Sequence, residues 1–218
     1  MCIIWHGHSC FSIKTKSLLN ENINIVIDPF DGKKTGINLP KLKADIVLSS
    51  HNHYDHNNVK AIQGNPFIVK TLGEFEIKNV FIQGIPSFHD KKNGAERGNN
   101  IIFYLESEKI HIAHLGDLGH ILDEKQMSKL SKIDILMVPV GGKYTINYSE
   151  AIEVINQIEP KIIIPMHYKI PGLKVDIDTV DKFAKEMGVD PNKKTDKLKI
   201  AQKNLPTDRS EIIIMDKK

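Results

Sequence analysis

The sequence predicts an α+β fold in which two similar β/α halves stack as a four-layer α/β/β/α sandwich. Three observations carry this. Short apolar runs and period-2 alternation fill the first half. From about residue 100 strands alternate with helices. No Gly-, Ser- or Pro-rich linker divides the chain, and no repeat of 20 to 50 residues runs through it. The shared strand-then-helix rhythm fits one domain over residues 1–218, with sheets facing inside and helices outside.

Residues 3–5, 10–13 and 23–27 read as strands, the last ended by Asp28-Pro29 because proline cannot donate to a ladder. Residues 45–48 form another, fed by the loop 40–44 and running into Ser49-Ser50-His51. Short β segments follow at 67–69, 75–77 and 80–83. Residues 101–105 and 109–114 flank the polar turn Glu106-Ser107-Glu108, the pattern of a hairpin. A helix over 121–130 precedes a buried strand at 133–138, closed by Pro139. Ser149 is an N-cap for a helix over 150–158, whose Ala151, Val154, Ile155 and Ile158 share one face. A strand at 161–164 stops at Pro165, and an amphipathic helix over 175–187 ends at Gly188. Residues 190–209 read as polar loop and 211–215 as a final strand.

Composition narrows the function classes. Gly 14 and Pro 10 in 218 residues are ordinary for a globular chain, which excludes collagenous and disordered types. A chain of this size buries roughly 70% of its unfolded surface, so it needs no metal or disulfide to fold. Any metal site is therefore expected to be functional. The net charge of +3, without a block of like charges, gives no arm for gripping a nucleic-acid duplex. No apolar run reaches the ~18 residues of a membrane span, and His6 and His8 stand where a signal peptide needs an apolar core. With only Cys2 and Cys10, the expectation is a cytoplasmic protein with reduced thiols.

Three of the ten histidines fall within six residues, in His51-Asn52-His53-Tyr54-Asp55-His56. This segment starts where a buried strand ends, the usual place for functional loops in sheets of this kind. Imidazoles and a carboxylate so close together are the preferred ligands of zinc and related ions. An H-x-H-x-D-H pattern arises by chance in roughly one sequence of this composition in 700, so coincidence is a poor account of it. His51 and His53 differ by two residues while Asp55 and His56 are adjacent, so the pairs can face two different centres.

Further landmarks follow in order: His89 in Pro86-Ser87-Phe88-His89-Asp90, then His114-Leu115-Gly116-Asp117, then Pro165-Met166-His167-Tyr168. With Trp5-His6-Gly7-His8-Ser9, Ile27-Asp28-Pro29 and the turn from Pro139 to Thr145, the sequence resembles the metallo-β-lactamase superfamily of metal-dependent hydrolases. Within it, the likeness is to the branch containing ascorbate-6-phosphate lactonase. The resemblance spans residues 3–168 and implies two divalent cations. His51, His53 and His89 would hold the first, Asp55, His56 and His167 the second, and Asp117 would bridge them. Zinc is the first expectation for the ions, with manganese, nickel or iron as alternatives. Asp28 and His8 are candidates for orienting the ligands from behind.

Two cations sharing a hydroxide would supply the nucleophile, which Asp55 would help to orient. His120, Tyr144 and Tyr168 are candidates for protonating the leaving group. Arg97, Lys143 and Lys169 are candidates for holding an anionic substrate. Esters, lactones, thioesters, amides and phosphodiesters all suit such a centre. The landmarks fill most of the chain, which leaves no room for the inserted domain or RNA-holding arm of the larger nucleases in the superfamily. A small molecule or short nucleotide is the expected substrate. Two rivals remain: a di-iron oxidoreductase, disfavoured because such relatives carry a carboxylate where His53 stands, and a noncatalytic metal-binding protein.

Overall fold

The computed structural model describes residues 1–17 and 19–218. Its first sheet opens with an antiparallel meander of β1 (Cys2–Gly7), β2 (Cys10–Lys16) and β3 (Asn22–Ile27). It continues through parallel β4 (Ile46–Leu48) and β5 (Phe67–Val69). The second sheet repeats the plan. Antiparallel β6 (Gly73–Ile77), β7 (Val80–Phe88), β8 (Asn99–Ser107) and β9 (Ile110–His114) lead to parallel β10 (Ile135–Pro139) and β11 (Ile162–Met166).

One buried cluster joins the two sheets, with Trp5, Phe11 and Ile25 from the first and Ile82, Phe103 and Ile112 from the second. Strands β10 and β11 are buried along their whole length. Parallel strands covered on both faces have no reason to alternate, which is why they read as unbroken apolar runs.

The helices are short: α1 (Gly32–Thr35), α2 (Glu124–Lys129), α3 (Tyr148–Ile158) and α4 (Asp181–Glu186). Helix α3 buries Ala151, Val154, Ile155 and Ile158, the face read from the sequence, and packs on β10. The outer layer of the first sheet departs from expectation. A second apolar cluster, including Val26, Phe30, Ile37, Val47, Ile62 and Leu173, is closed mainly by loops and the single turn of α1.

Other boundaries also move. The cap of α3 is Asn147 rather than Ser149, because Asn147 and Glu150 bond each other's backbone in a capping box. Helix α2 starts only after Asp123, which caps it in the same way. The helix expected over 175–187 is only α4. Upstream of it, Ile177 packs into the second cluster, while the backbone of Asp178 bonds Gly141 and Lys169 and so spends its groups on tertiary contacts. Strand β7 runs on to Phe88, well past the expected 80–83.

The polar stretch 190–209 holds two short strands, β12 (Lys194–Thr195) and β13 (Leu198–Lys199), with β13 pairing on β1. The final strand splits into β14 (Glu211–Ile212), which extends the second sheet beside β11, and β15 (Ile214–Met215), which pairs with β12. Among the described residues no helix is long and apolar enough to cross a membrane.

Candidate metal centre

The ends of strands from both sheets deliver the site. His8 lies in the β1–β2 turn, Asp28 follows β3, and the loop 49–58 carrying His51, His53, Asp55 and His56 follows β4. From the second sheet, His89 follows β7, Asp117 follows β9 and His167 follows β11. Opposed sheets thus feed one cleft.

Asp117 stands at its centre. Its Oδ2 lies 3.1 Å from Nε2 of His56, 3.2 Å from that of His89, 3.3 Å from that of His167 and 3.9 Å from that of His51. The ligand atoms of His51, His53 and His89 come within 4.8 Å of one another, the grouping the resemblance implied for a first cation. A second such group comprises His56, His167 and His8. Asp55 is close by, with Oδ2 3.2 Å from His8 Nε2 and 4.0 Å from His56 Nε2. His8, expected to orient the ligands, faces Asp55 with its Nε2 and also lies beside His56 and His167. Its left-handed backbone (φ 54°) turns the ring inward, and its carbonyl accepts from Trp5 Nε1 at 2.9 Å and from the His167 N–H at 3.0 Å.

Behind the ligands lies Asp28, fully buried. It accepts from the Ser50 N–H at 2.7 Å, from Ser50 Oγ at 2.7 Å and from His56 Nδ1 at 2.9 Å. Because Ser50 Oγ donates to Asp28, it is free to accept from His51 Nδ1, 3.0 Å away. One carboxylate therefore fixes two imidazoles with Nε2 aimed into the cleft, the arrangement that orients metal-binding histidines.

Electrostatics agree with a cationic occupant. Burial opposes the charge of Asp117, yet His167 and His56 hold its carboxyl well below the usual range. Burial likewise opposes that of Asp28, and the hydrogen bond from His56 overrides it. Burial works against a charged His56, but Asp117 and Asp28 push its pKa well up. His51 Nε2, His56 Nε2 and Asp117 Oδ1 are buried without hydrogen-bond partners. Three orphaned donor atoms converging in an imidazole and carboxylate cleft fit divalent cations, which would satisfy them all.

A family profile described as the β-lactamase superfamily domain matches residues 2–167. A Thermotoga maritima crystal structure, named as a candidate zinc-dependent hydrolase of the metallo-β-lactamase superfamily, shares 35% identity. It aligns over 98% of this chain and 97% of its own, with a TM-score of 0.78. The chain belongs to the metallo-β-lactamase superfamily. Two relatives named UPF0173 metal-dependent hydrolases agree. That of Thermoplasma volcanium is 31% identical over 76% of this chain and 82% of its own. That of Thermoplasma acidophilum is 29% identical over the same shares, 76% and 82%.

Around this metallo-β-lactamase centre the remaining candidates divide. Tyr144, 41% exposed, reaches the cleft and lines a cavity of about 400 Å³ with His53, Asp55, His89, Asp117 and His167. The Arg97 guanidinium lies 5.7 Å from the centre of the Tyr144 ring. His120 is not brought to the cleft: Nδ1 donates to the Ile121 carbonyl at 2.7 Å and Nε2 accepts from the Phe88 N–H at 3.2 Å. Tyr168 is core, its ring 5.0 Å from that of Trp5 and its hydroxyl pushed up by burial. Lys143 is paired with Asp176, and Lys169 Nζ donates to the carbonyls of Leu173 at 2.6 Å and Val175 at 2.9 Å.

Three contributors escaped the sequence reading. Buried Asn100 accepts from the Asp117 N–H at 2.9 Å and donates to the Leu115 carbonyl at 2.9 Å, which fixes the Asp117 loop. Nothing local in the sequence marks it. Ser50 is silent for the same reason, although it adjoins His51. Asp90 was visible in outline, since Asp90-Lys91-Lys92-Asn93-Gly94 is a turn composition. Its carboxylate accepts four backbone N–H groups, from Lys92, Gly94, Glu96 and Arg97. Burial would raise its pKa, but these donors, led by Arg97, bring it down to about 2.

Proposed function

We propose that this protein hydrolyses an ester, lactone or phosphodiester bond in a small anionic substrate, a short nucleotide included, using two divalent cations. Zinc is the first choice, with manganese, nickel or iron as alternatives. The observation that carries this is the convergence of four imidazoles from both sheets on Asp117 Oδ2, at 3.1 to 3.9 Å, with ligand atoms on either side left unpartnered. His51, His53 and His89 would hold one cation, and His56 and His167 with Asp55 the other. Asp117 lies between the two sets. Bound there, the cations would supply Lewis acidity and a water acidic enough to attack near neutral pH.

The chain's own groups do the rest. Asp55 stays ionised: burial opposes its charge, but the hydrogen bond from His8 Nε2, 3.2 Å away, keeps its pKa well down. As an acceptor at the cavity wall, it orients the attacking water. His8 is held neutral at ordinary pH, its pKa lowered to about 4, chiefly by burial. It therefore spends its Nε2–H on Asp55 and fixes that carboxylate. Tyr144, at the mouth, is the hydroxyl placed to donate a proton to a leaving group.

A hydrolysis screen over phosphodiesters, lactones and thioesters, run with each metal in turn, tests this reading. Cleavage that needs metal and disappears in Asp55→Ala supports it. Cleavage indifferent to that substitution refutes it.

A further inference from the structure

A second cavity, of about 870 Å³, opens on the other side of His53 from the one just described. It lies between the ends of β4 and β5 and the β7–β8 pair, and His51 and His53 form part of its wall. None of the residues lining it is Asp or Glu, while Lys70 and Arg97 both do. The smaller cavity has Asp55, Asp117 and Asp176 in its wall, against a single basic side chain, Lys174. A negatively charged group is thus better accommodated in the larger cavity than in the smaller one, apart from any cations held at the boundary.

The basic residues differ in what they have left to offer. Lys143 is neutralised by Asp176, and Lys169 is spent on two backbone carbonyls. Lys70 forms no ion pair among the described residues. The nearest carboxylate oxygen to the Arg97 guanidinium is Glu96 Oε2, at 3.7 Å, and the other oxygen of Glu96 is held by Lys92 at 2.7 Å. Arg97 is also held in place. Its backbone N–H donates to Asp90 Oδ2 at 2.8 Å, which anchors the loop, and its guanidinium lies over the Tyr144 ring. A planar fork of donors, fixed in position and lacking a close partner, suits a phosphate or carboxylate.

We propose that the larger cavity holds the anionic arm of the substrate, a phosphate or carboxylate gripped by Lys70 and Arg97, while the bond to be cleaved lies past His53 in the smaller cavity. The exposed amides of Asn52 and Asn99 in the same wall suit a polar, hydroxyl-bearing body for that arm. This deepens the hydrolase reading and rests on it only for the bond that breaks. The anion site stands on its own geometry.

The test is calorimetric titration of the full-length protein with inorganic phosphate and with succinate, both zinc-loaded and after chelation, where no cation can capture the anion. Lys70→Gln and Arg97→Gln are each expected to weaken binding at least about 10-fold, since each removes a charged hydrogen-bond donor. Arg97→Lys should recover part of the loss, and Lys143→Gln should stay within about 2-fold of wild type. The tighter of the two probes names the group. No binding after chelation, wild-type affinity in both Lys70→Gln and Arg97→Gln, or a loss confined to Lys143→Gln would overturn the proposal. Zinc content measured alongside separates this from failure of the hydrolase reading: variants that keep their zinc but lose the anion locate the effect in the cavity.

Discussion

His56 Nδ1 lies 2.9 Å from Asp28 Oδ2, and neither side chain is accessible to solvent. The same carboxylate reaches His51 through the Ser50 hydroxyl, so one residue behind the site controls an imidazole of each proposed cation set. Asp28→Asn should keep the fold but lower metal affinity about 10- to 100-fold, the usual cost of losing such a partner. Competition against a chromophoric chelator measures it, and unchanged affinity would remove Asp28 from the account.

Gly141 passes so close to the His167 backbone that an added Cβ would lie 2.1 Å from its carbonyl oxygen. Backbone cannot yield there as a side-chain tip does. Gly141→Ala should cost about 1 to 3 kcal/mol in urea unfolding and displace His167, with loss of about one cation per chain. Retention of full metal content would show that the loop tolerates the methyl group.

Asn100 holds the Asp117 N–H, the Leu115 carbonyl and Ser87 Oγ together. Truncation in Asn100→Ala leaves the Asp117 N–H and the Leu115 carbonyl buried and unpaired, at about 1 to 3 kcal/mol for each one that water cannot reach, while Ser87 Oγ keeps its bond to the Asn100 carbonyl. Stability should fall and turnover with it, since Asp117 loses its anchor. A variant as stable and active as wild type would contradict that role.

His6 is buried with Nε2 2.9 Å from Ser12 Oγ, and burial lowers its pKa from 6.5 to about 4. Between those values the unfolded chain binds a proton that the folded chain refuses. Stability contributed by this group is therefore whole above about pH 6.5 and is lost as pH falls toward 4. His56, whose pKa is raised, pulls the other way, so the reading is a difference. Urea unfolding of chelated protein from pH 7.5 to 4 should show a shallower acid loss in His6→Gln than in wild type. Parallel curves would mean that His6 takes up its proton without cost.

Much of this was legible in the sequence, for physical reasons. Strands β10 and β11 and helix α3 announce themselves because burial fixes their periodicity. The loop from His51 to His56 is equally plain, since all its chemistry lies in six consecutive residues. What the sequence concealed depends on contacts between distant segments. Asn100 meets Asp117 only through the β8–β9 pairing. His8 joins His56 and His167 only because a left-handed turn aims it inward. The segment 175–180 has the composition of an amphipathic helix, yet its backbone is claimed by Gly141 and Lys169 and it forms part of the cavity wall instead.

The imidazoles gathered around Asp117 are proposed to hold two cations. Elemental analysis of protein purified without chelators tests it most directly, with His56→Ala beside wild type. About two divalent ions per chain are expected in wild type and at least one fewer in the variant. Trace metal in wild type, or the same content in both proteins, would contradict it.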